Sequence, residues 1–285
     1  MEKFEKYLDP KNDLLFKKVF GTHKNLCISL LNSLMKFDEN SKIIEIEYDT
    51  NELLPEIPAF KDTIVDVRCK DETGRQFIIE MQMNWTKDFQ QRVLLNASKA
   101  YIQPLKKGQE FNLLLPVYSL NLVNDTFDDD PEMADEYYHQ FKIVNIKNTN
   151  KQIKGLEFVF VELPKYKPKS KDELDYFNLW LRFLTEIDRN SKEISADFLN
   201  NEVLREAVEC VAESALTPEE LEAYDKVEDA IRAKKALLRG AEEKGKIEGE
   251  LQKAIEVAQN LKKMGLSIAQ IAQATGLTEA EITAL

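Results

Sequence analysis

The sequence predicts an α/β domain followed by an all-α extension, and two observations carry this prediction. Between residues 44 and 163, apolar residues alternate with polar ones or form short continuous runs, which is typical of strands. Before residue 37 and after residue 166 they recur every three or four positions, which is typical of one face of a helix. A Pro- and Lys-rich segment, residues 164–170, separates the two patterns. We therefore expect the sheet to end before this segment.

Two helices and a strand open the chain. Apolar residues at helical spacing predict a first helix over residues 13–20, which Gly21 ends, and a second helix over about residues 25–36. The period then changes to two over residues 44–48, where apolar residues alternate with glutamates. This alternation predicts a half-buried strand.

The segment 61–84 predicts a β-hairpin. Its two halves alternate in polarity, and residues 71–74 supply a turn between them. A tight connection there places Asp66 across from residues 79–81. The pleat then puts Asp66, Glu80 and Gln82 together on the face opposite to the apolar residues.

The next segments alternate between helix and strand. Lys87 to Lys107 predicts a helix, and the apolar run 111–123 predicts a buried strand in which Pro116 is an irregularity or an edge feature. An acidic loop over residues 124–136 and two further strands follow, and the strands are predicted over residues 141–146 and 158–163.

Helical patterns fill the rest of the chain. Amphipathic helices from Leu174 to Tyr224 precede a long exposed helix, rich in Ala, Glu, Lys and Gln, that begins near Asp225. The patterns 267–275 and 278–285 resemble a helix-turn-helix, but the second has acids and no Lys or Arg, which favours packing or oligomerisation over DNA reading. We predict three divisions: a core over residues 1–165, a helical extension packed on the core over 166–224, and a helical tail over 225–285.

Composition narrows the function classes. The 285 residues carry a net charge of −12, which argues against non-specific coating of nucleic acid. Positive charge is nevertheless concentrated in residues 86–107. No apolar run is long enough for a membrane span, and three widely spaced cysteines suggest buried thiols, so we expect a cytoplasmic protein. Only two histidines are present, so chemistry is expected to rest on carboxylates.

Asp66 and Glu80 are the candidate chemical groups. Two acids opposite each other on neighbouring strands can share one divalent cation, and Mg²⁺ is commonly held by one or two carboxylates plus waters and phosphate oxygens. Such an ion would polarise a phosphodiester and activate a water, which Gln82 could orient. The alternative is that both acids are solvated residues on the outer face of an amphipathic hairpin.

The order of several motifs resembles a known family. The strings are Asn12-Asp-Leu-Leu-Phe-Lys-Lys-Val-Phe-Gly21, Asp66-Val-Arg-Cys69, Ile78-Ile-Glu-Met-Gln82, Pro116-Val-Tyr-Ser-Leu120 and Phe160-Val-Glu-Leu-Pro-Lys165. Together they resemble the PD-(D/E)XK nuclease superfamily and, within it, the Rpn family of recombination-promoting nucleases, which are also described as transposases. The resemblance implies a restriction-endonuclease-like core, with a mixed sheet flanked by helices and a helical C-terminal extension.

The resemblance also implies an activity and a site. It implies metal-dependent endonucleolytic cleavage of DNA linked to recombination or transposition, with Asp66 and Glu80 as ligands of Mg²⁺, or of Mn²⁺ or Ca²⁺. Gln82 takes the third motif position, where the superfamily usually has Lys and members similar to Rpn have Gln. A neutral Gln cannot stabilise developing charge as Lys does, so the group that activates water is left open.

Further candidates lie on the predicted helices. Asp13 and Lys17 are one helical turn apart. They could serve as a further metal ligand and a phosphate contact, or they could form an exposed ion pair. Arg92 and Lys99 could line a groove for the DNA backbone. The leading alternative to an enzyme is a non-catalytic nuclease fold that binds DNA or protein. In either case we expect a homo-oligomer formed through the C-terminal helices.

Overall fold

The computed structural model describes residues 6–48, 65–102, 110–111, 114–128, 130–168 and 174–285. At Val65, Asp66 and Glu242 the description covers the backbone. The chain forms two compact units, Met1–Val227 and Glu228–Leu285. The sheet and the candidate site belong to the first unit.

The first unit begins with two helices. Helix α1 spans Asp13–Thr22, and the side chain of Asn12 caps it by accepting a hydrogen bond from the backbone of Leu14. Helix α2 spans Lys24–Leu34. The break lies at His23, in extended backbone, so the prediction that Gly21 ends the first helix is wrong. Gly21 is buried inside the last turn of α1.

The described residues form a mixed sheet of six strands. The strands are β1 Ile46–Tyr48, β2 Val65–Asp71, β3 Gln76–Gln82, β4 Val117–Val123, β5 Tyr138–Asn145 and β6 Asn148–Glu162. Their spatial order is β1-β2-β3-β4-β6-β5, with β3, β4 and β6 parallel to one another and the remaining pairs antiparallel. Helix α3, Phe89–Ile102, forms the crossover from β3 to β4. The predicted mixed sheet flanked by helices is confirmed.

The boundaries of four strands differ from the prediction. Strand β1 starts at Ile46, and Ile44 is 80% exposed, because Ile43 is the residue that enters the core. Strand β4 starts after Pro116, which has no amide hydrogen to donate to a ladder. Strands β5 and β6 are longer than predicted, and in β6 the added residues 148–154 are exposed and extend the pairing with β5.

The two faces of the sheet are covered by different layers. Apolar residues of one face, among them Val67 and Ile79, join α1, α2 and the later helix α4 (Tyr176–Glu186) in the main core. The opposite face, with Ile78 and Phe158, is covered by α3. Strand β3 is therefore buried on both faces, which corrects the expectation of a hairpin with one exposed polar face.

The remaining helices complete the two units. Helices α5 Ala196–Asn200 and α6 Glu202–Cys210 belong to the first unit, and α7 runs from Pro218 to Lys263 without interruption at its three glycines. Helices α8 Ile268–Thr275 and α9 Glu279–Ala284 belong to the second unit. Short 3-10 turns lie at Glu39–Ser41, Pro131–Met133, Leu163–Lys165 and Glu213–Ala215.

The second unit has a small core of its own, formed by Ala258, Ile271, Leu277 and Ile282. Gly276, at φ 74°, ends α8 in the left-handed conformation that glycine favours. The structural boundary at residues 227 and 228 falls inside α7, and the finer division at residue 165 stays a prediction. Across the described residues, no helix combines the length and apolar composition that crossing a bilayer would require.

Candidate active site

The antiparallel pairing of β2 and β3 places Asp66 directly across from Glu80. The turn at residues 71–74 sets this register: Gly74 has φ 82°, and its amide donates to the carbonyl of Asp71. Residues directly opposed in an antiparallel pair have Cβ atoms about 5 Å apart. The backbone thus brings together the two acids that the sequence predicted to be neighbours.

Glu80 lies in the layer between the sheet and α3, and it is only 1% exposed. Its Oε1 accepts a hydrogen bond from Nδ2 of Asn96 on α3, at 3.2 Å. The adjacent position on β4 is Asn121, which is fully buried and donates to the carbonyl of Val159 at 3.0 Å. The surroundings of Glu80 on these two sides are thus polar.

Gln82, which the sequence predicts for the third motif position, is held at both ends of its amide. Its Oε1 accepts from Nη2 of Arg92 at 3.1 Å, and its Nε2 donates to the carbonyl of Asn84. The Arg92 Nε is buried and has no hydrogen-bond partner among the residues that the structure describes. A permanent positive charge therefore lies next to the Gln82 amide.

A ladder of polar contacts aligns α3 with β3. Gln82 bonds Arg92, Glu80 bonds Asn96, and Gln76 donates to the carbonyl of Ala100 at 3.0 Å. Between the Gln82 and Glu80 contacts the strand advances two residues, about 6.6 Å, and the helix four residues, about 6 Å, so these two contacts match in spacing. The Gln76 contact lies four strand residues, about 13 Å, beyond Glu80, although its partner Ala100 is only about 6 Å beyond Asn96 along the helix. The crossover connection thereby fixes the directions of the Glu80 and Gln82 side chains.

A second polar cluster marks the carboxyl ends of the parallel strands. Glu162, at the end of β6, is fully buried, and its Oε1 lies 2.8 Å from Nε2 of His139 and 2.9 Å from Nζ of Lys165. Its Oε2 accepts from the backbone of Phe127 at 2.8 Å. These contacts satisfy the carboxylate and anchor the loop after β4, so we assign Glu162 a structural role.

The other predicted site residues lie on two different layers. Asp13 is 8% exposed, on the helix that packs in the main core, and Lys17 is half-buried one turn later. Arg92 contacts Gln82, whereas Lys99 is exposed at the far end of α3. The structure therefore brings Arg92 to the motif, and the roles of Asp13, Lys17 and Lys99 stay predictions.

Asn96 and Asn121 escaped the sequence prediction, although each left a signal. Asn96 lies four residues after Arg92, which puts both polar side chains on one face of a helix whose buried positions are otherwise apolar. Asn121 interrupts the apolar run of β4. Neither signal states a partner, because the contacts join elements that are distant in sequence.

A family model decides the classification. Residues 10–241 of the chain match the model described as PD-(D/E)XK nuclease family transposase. The chain belongs to this family. The PD-(D/E)XK match runs from just before α1 to the middle of α7, so it includes the whole sheet and every predicted site residue. No curated protein and no solved structure matches the chain.

Proposed function

We propose that this PD-(D/E)XK chain is a metal-dependent DNA endonuclease that acts in recombination or transposition, with Asp66 and Glu80 as the metal ligands. The observation that carries the proposal is the register of β2 and β3, in which these two acids are direct partners. The family match to nuclease transposases supports phosphodiester cleavage as the reaction.

The donor set fits a hard cation. Carboxylate oxygens are the ligands that Mg²⁺ and Ca²⁺ prefer, and Mn²⁺ accepts the same set. We assign ligation to Asp66 and Glu80 because the pairing of β2 with β3 places them directly opposite each other. Mg²⁺ typically takes its remaining ligands from waters and substrate phosphates. When bound, such an ion polarises the phosphodiester and lowers the pKa of a water.

The protein's own side chains would position this site. Asn96 donates to Glu80 and so holds the carboxylate in one orientation. Arg92 does the same for Gln82, and its guanidinium supplies the positive charge that Gln82 lacks. Because a guanidinium is not deprotonated in proteins, Arg92 would stabilise charge and would not serve as a general base.

Contacts to the DNA backbone would follow α3 outward from the site. Lys99 lies seven residues after Arg92, about 10.5 Å along the helix axis, and its side chain is exposed. Lys17 on α1 is a second candidate for a phosphate contact. Such contacts make binding depend steeply on salt, because each releases counterions from the DNA.

Two observations favour a second candidate, a non-catalytic nuclease fold that binds DNA or protein. Glu80 is almost completely buried, and Gln82 replaces the usual Lys of the third motif position. A module of this kind would keep the fold and its partner while failing to cut.

Plasmid nicking separates the two candidates. The full chain would be incubated with supercoiled plasmid in Mg²⁺, Mn²⁺, Ca²⁺ or EDTA, together with Asp66→Asn and Glu80→Gln. The matched control is Glu47→Gln, an exposed acid on β1. Metal-dependent nicking that is lost in both site variants and kept in the control supports the enzyme. DNA binding without nicking in any metal would favour the non-catalytic module.

We also propose that the chain is a homo-oligomer formed through residues 225–285. Helix α7 exposes Ile247 and Leu251, one helical turn apart, at 61% and 47%. Apolar side chains at this spacing are typical of helices that associate. Light scattering of the full chain and of the Ile247→Gln/Leu251→Gln double variant tests the proposal, which predicts a lower mass for the variant.

The thiols support a reducing compartment. The three cysteines are free, with Cys27 and Cys69 buried. Free buried thiols are the rule in the cytosol, where disulfides are rare. We therefore propose a cytoplasmic location, which fractionation of cells that express the chain would test.

A further inference from the structure

Strands β5 and β6 extend beyond the rest of the sheet as a two-stranded ribbon. Strand β6 starts at Asn148, but its pairing with β4 starts at Leu156. Residues 148–155 therefore have β5 as their strand partner. At about 3.3 Å per residue, these eight residues of β6 extend at most about 26 Å beyond the first residue of β4.

A two-residue turn forms the tip of the ribbon. The pairs run from Lys142 with Glu157 to Val144 with Gln152 and then to Asn145 with Asn148, so the register shifts twice. Shifts of this kind strengthen the local twist of a ribbon. Residues 146 and 147 connect the strands and form the outermost point.

The charge of the ribbon is opposite to that of the whole chain. Residues 140–156 contain four lysines and no Asp or Glu, in a chain of net charge −12. Lys142 is paired with Glu157 at 3.4 Å, whereas Lys147, Lys151 and Lys154 are exposed and form no ion pair with any described residue. Three cations thus face solvent on one projecting element.

Exposed apolar side chains accompany these cations. Ile146 at the tip is 93% exposed, and Ile153 is 71% exposed. Lysines on a free edge strand can serve to prevent edge-to-edge pairing. That role leaves the isoleucines unexplained, because exposed β-branched apolar residues promote such pairing.

We propose that this ribbon enters the major groove of duplex DNA, with Lys147, Lys151 and Lys154 on phosphates and Ile146 against base edges. The major groove is about 12 Å wide and admits a two-stranded ribbon, and apolar side chains there contact the methyl group of thymine. The cations complement the charge of the groove walls. The inference rests on the proposed function in taking DNA as the substrate, and it adds a binding element outside the catalytic pair.

The lysine contribution is measured by fluorescence anisotropy with a duplex, using the full chain and the variant Lys147→Gln/Lys151→Gln/Lys154→Gln. The control is Lys24→Gln/Lys167→Gln/Lys192→Gln, three exposed lysines elsewhere in the first unit with the same total change in charge. The slope of log K against log salt is negative, and each lost phosphate contact makes it less steep by about 0.9. The slope of the ribbon variant is therefore expected to be less steep than that of the wild type by up to about 2.7. An unchanged slope would overturn the proposal.

The contribution of the tip is measured with Ile146→Ser. Its affinity is expected to fall with no change in salt slope, because an apolar contact releases no counterions. On a duplex in which uracil replaces thymine, the methyl group is gone and the difference between wild type and Ile146→Ser should disappear. Equal affinities of the two proteins for the thymine duplex would overturn the role of the tip.

The ribbon and the catalytic site can fail separately. If Glu80→Gln loses nicking while the ribbon variant binds DNA as the wild type does, the proposed function is supported and the ribbon proposal is wrong. If the wild type does not nick DNA in any metal but its binding still depends on the ribbon lysines, the ribbon proposal is supported and the endonuclease proposal is wrong. Unchanged DNA binding together with aggregation or a changed mass in light scattering would assign the lysines to edge protection or the ribbon to a second copy.

Discussion

The two faces of the central sheet are both buried, but they are built from different chemistry. On one face, Val67, Ile79 and their neighbours pack against α1, α2 and α4 in a core of apolar side chains. On the other face, smaller apolar clusters that include Ile78 and Phe89 flank the polar contacts of α3 with Gln76, Glu80 and Gln82. Burial by apolar contact stabilises a fold and is non-directional, whereas a buried polar contact also fixes the direction of each side chain.

This difference separates stability from positioning within one sheet. Substitutions on the core face should change the free energy of unfolding strongly. Substitutions of the polar residues on the α3 face should change it little and change nicking strongly. Residues of active sites are commonly not the most stabilising choice for their positions, because activity also constrains them.

The largest loss of stability is expected from Trp180→Ala. Trp180 is fully buried on α4, contacts Phe20 and Phe183 edge-on at 5.4 and 5.5 Å, and donates to Ser29 at 3.0 Å. Removal of a buried aromatic residue costs about 3 to 5 kcal/mol, which urea unfolding measures. The control is Tyr176→Ala, at an exposed position of the same helix, with an expected loss below about 0.5 kcal/mol. Equal losses in the two variants would contradict the assignment of the core.

The second-largest loss of stability is expected at alkaline pH, through the buried Cys27 thiol on the core face. The hydrogen bond with Cys69, followed by burial, raises the pKa of the Cys27 thiol well above its ordinary value, and burial raises the pKa of Tyr48. An unfolded thiol ionises near pH 8.5, so the stabilisation is complete below that pH and is lost as pH rises toward the folded pKa.

The expected loss is up to about 1.4 kcal/mol per pH unit for one thiol. Urea unfolding at pH 7.5, 8.5 and 9.5 measures it, for wild type and for Cys27→Ala. The variant should start less stable and lose less between pH 8.5 and 9.5. Parallel curves would show that Cys27 ionises in the folded protein as easily as in the unfolded one.

On the α3 face, Asn96→Ala should cost about 1 kcal/mol, the net value of one hydrogen bond. Its effect on function should be larger, because Glu80 loses the donor that orients it. We expect kcat of nicking to fall while the affinity for DNA is unchanged. Gln91→Ala, an exposed residue of the same helix, is the control. A fall in affinity without a fall in kcat would contradict a positioning role.

The smallest change in stability is expected from Glu80→Gln, together with the complete loss of nicking. An amide of the same shape can still accept from Asn96, so the free energy of unfolding should change by less than about 1 kcal/mol. A loss of several kcal/mol would mean that Glu80 supports the fold in the way Trp180 does. The two faces would then not differ as proposed.

Local patterns were sufficient for much of this architecture. The alternation in residues 65–82 and the turn at 71–74 predicted the partner of Asp66 to within one residue, because pleat and turn length act over short distances. The patterns predicted β5 and β6 but missed their full length, because residues 148–154 of β6 are exposed and leave no pattern of buried apolar residues. They also failed on the second face of β3, where polar residues indicated solvent and the structure places α3.

The order of helices and strands, the pairing of Asp66 with Glu80 and the cationic composition of residues 140–156 were all determined by sequence alone, since each depends on neighbours along the chain. Only the tertiary structure decided that Asn96 and Arg92 meet Glu80 and Gln82, and that the cationic segment projects beyond the sheet. These outcomes depend on how a helix docks on a sheet and where a neighbouring strand ends. Both are set by burial between distant segments, which no local pattern encodes.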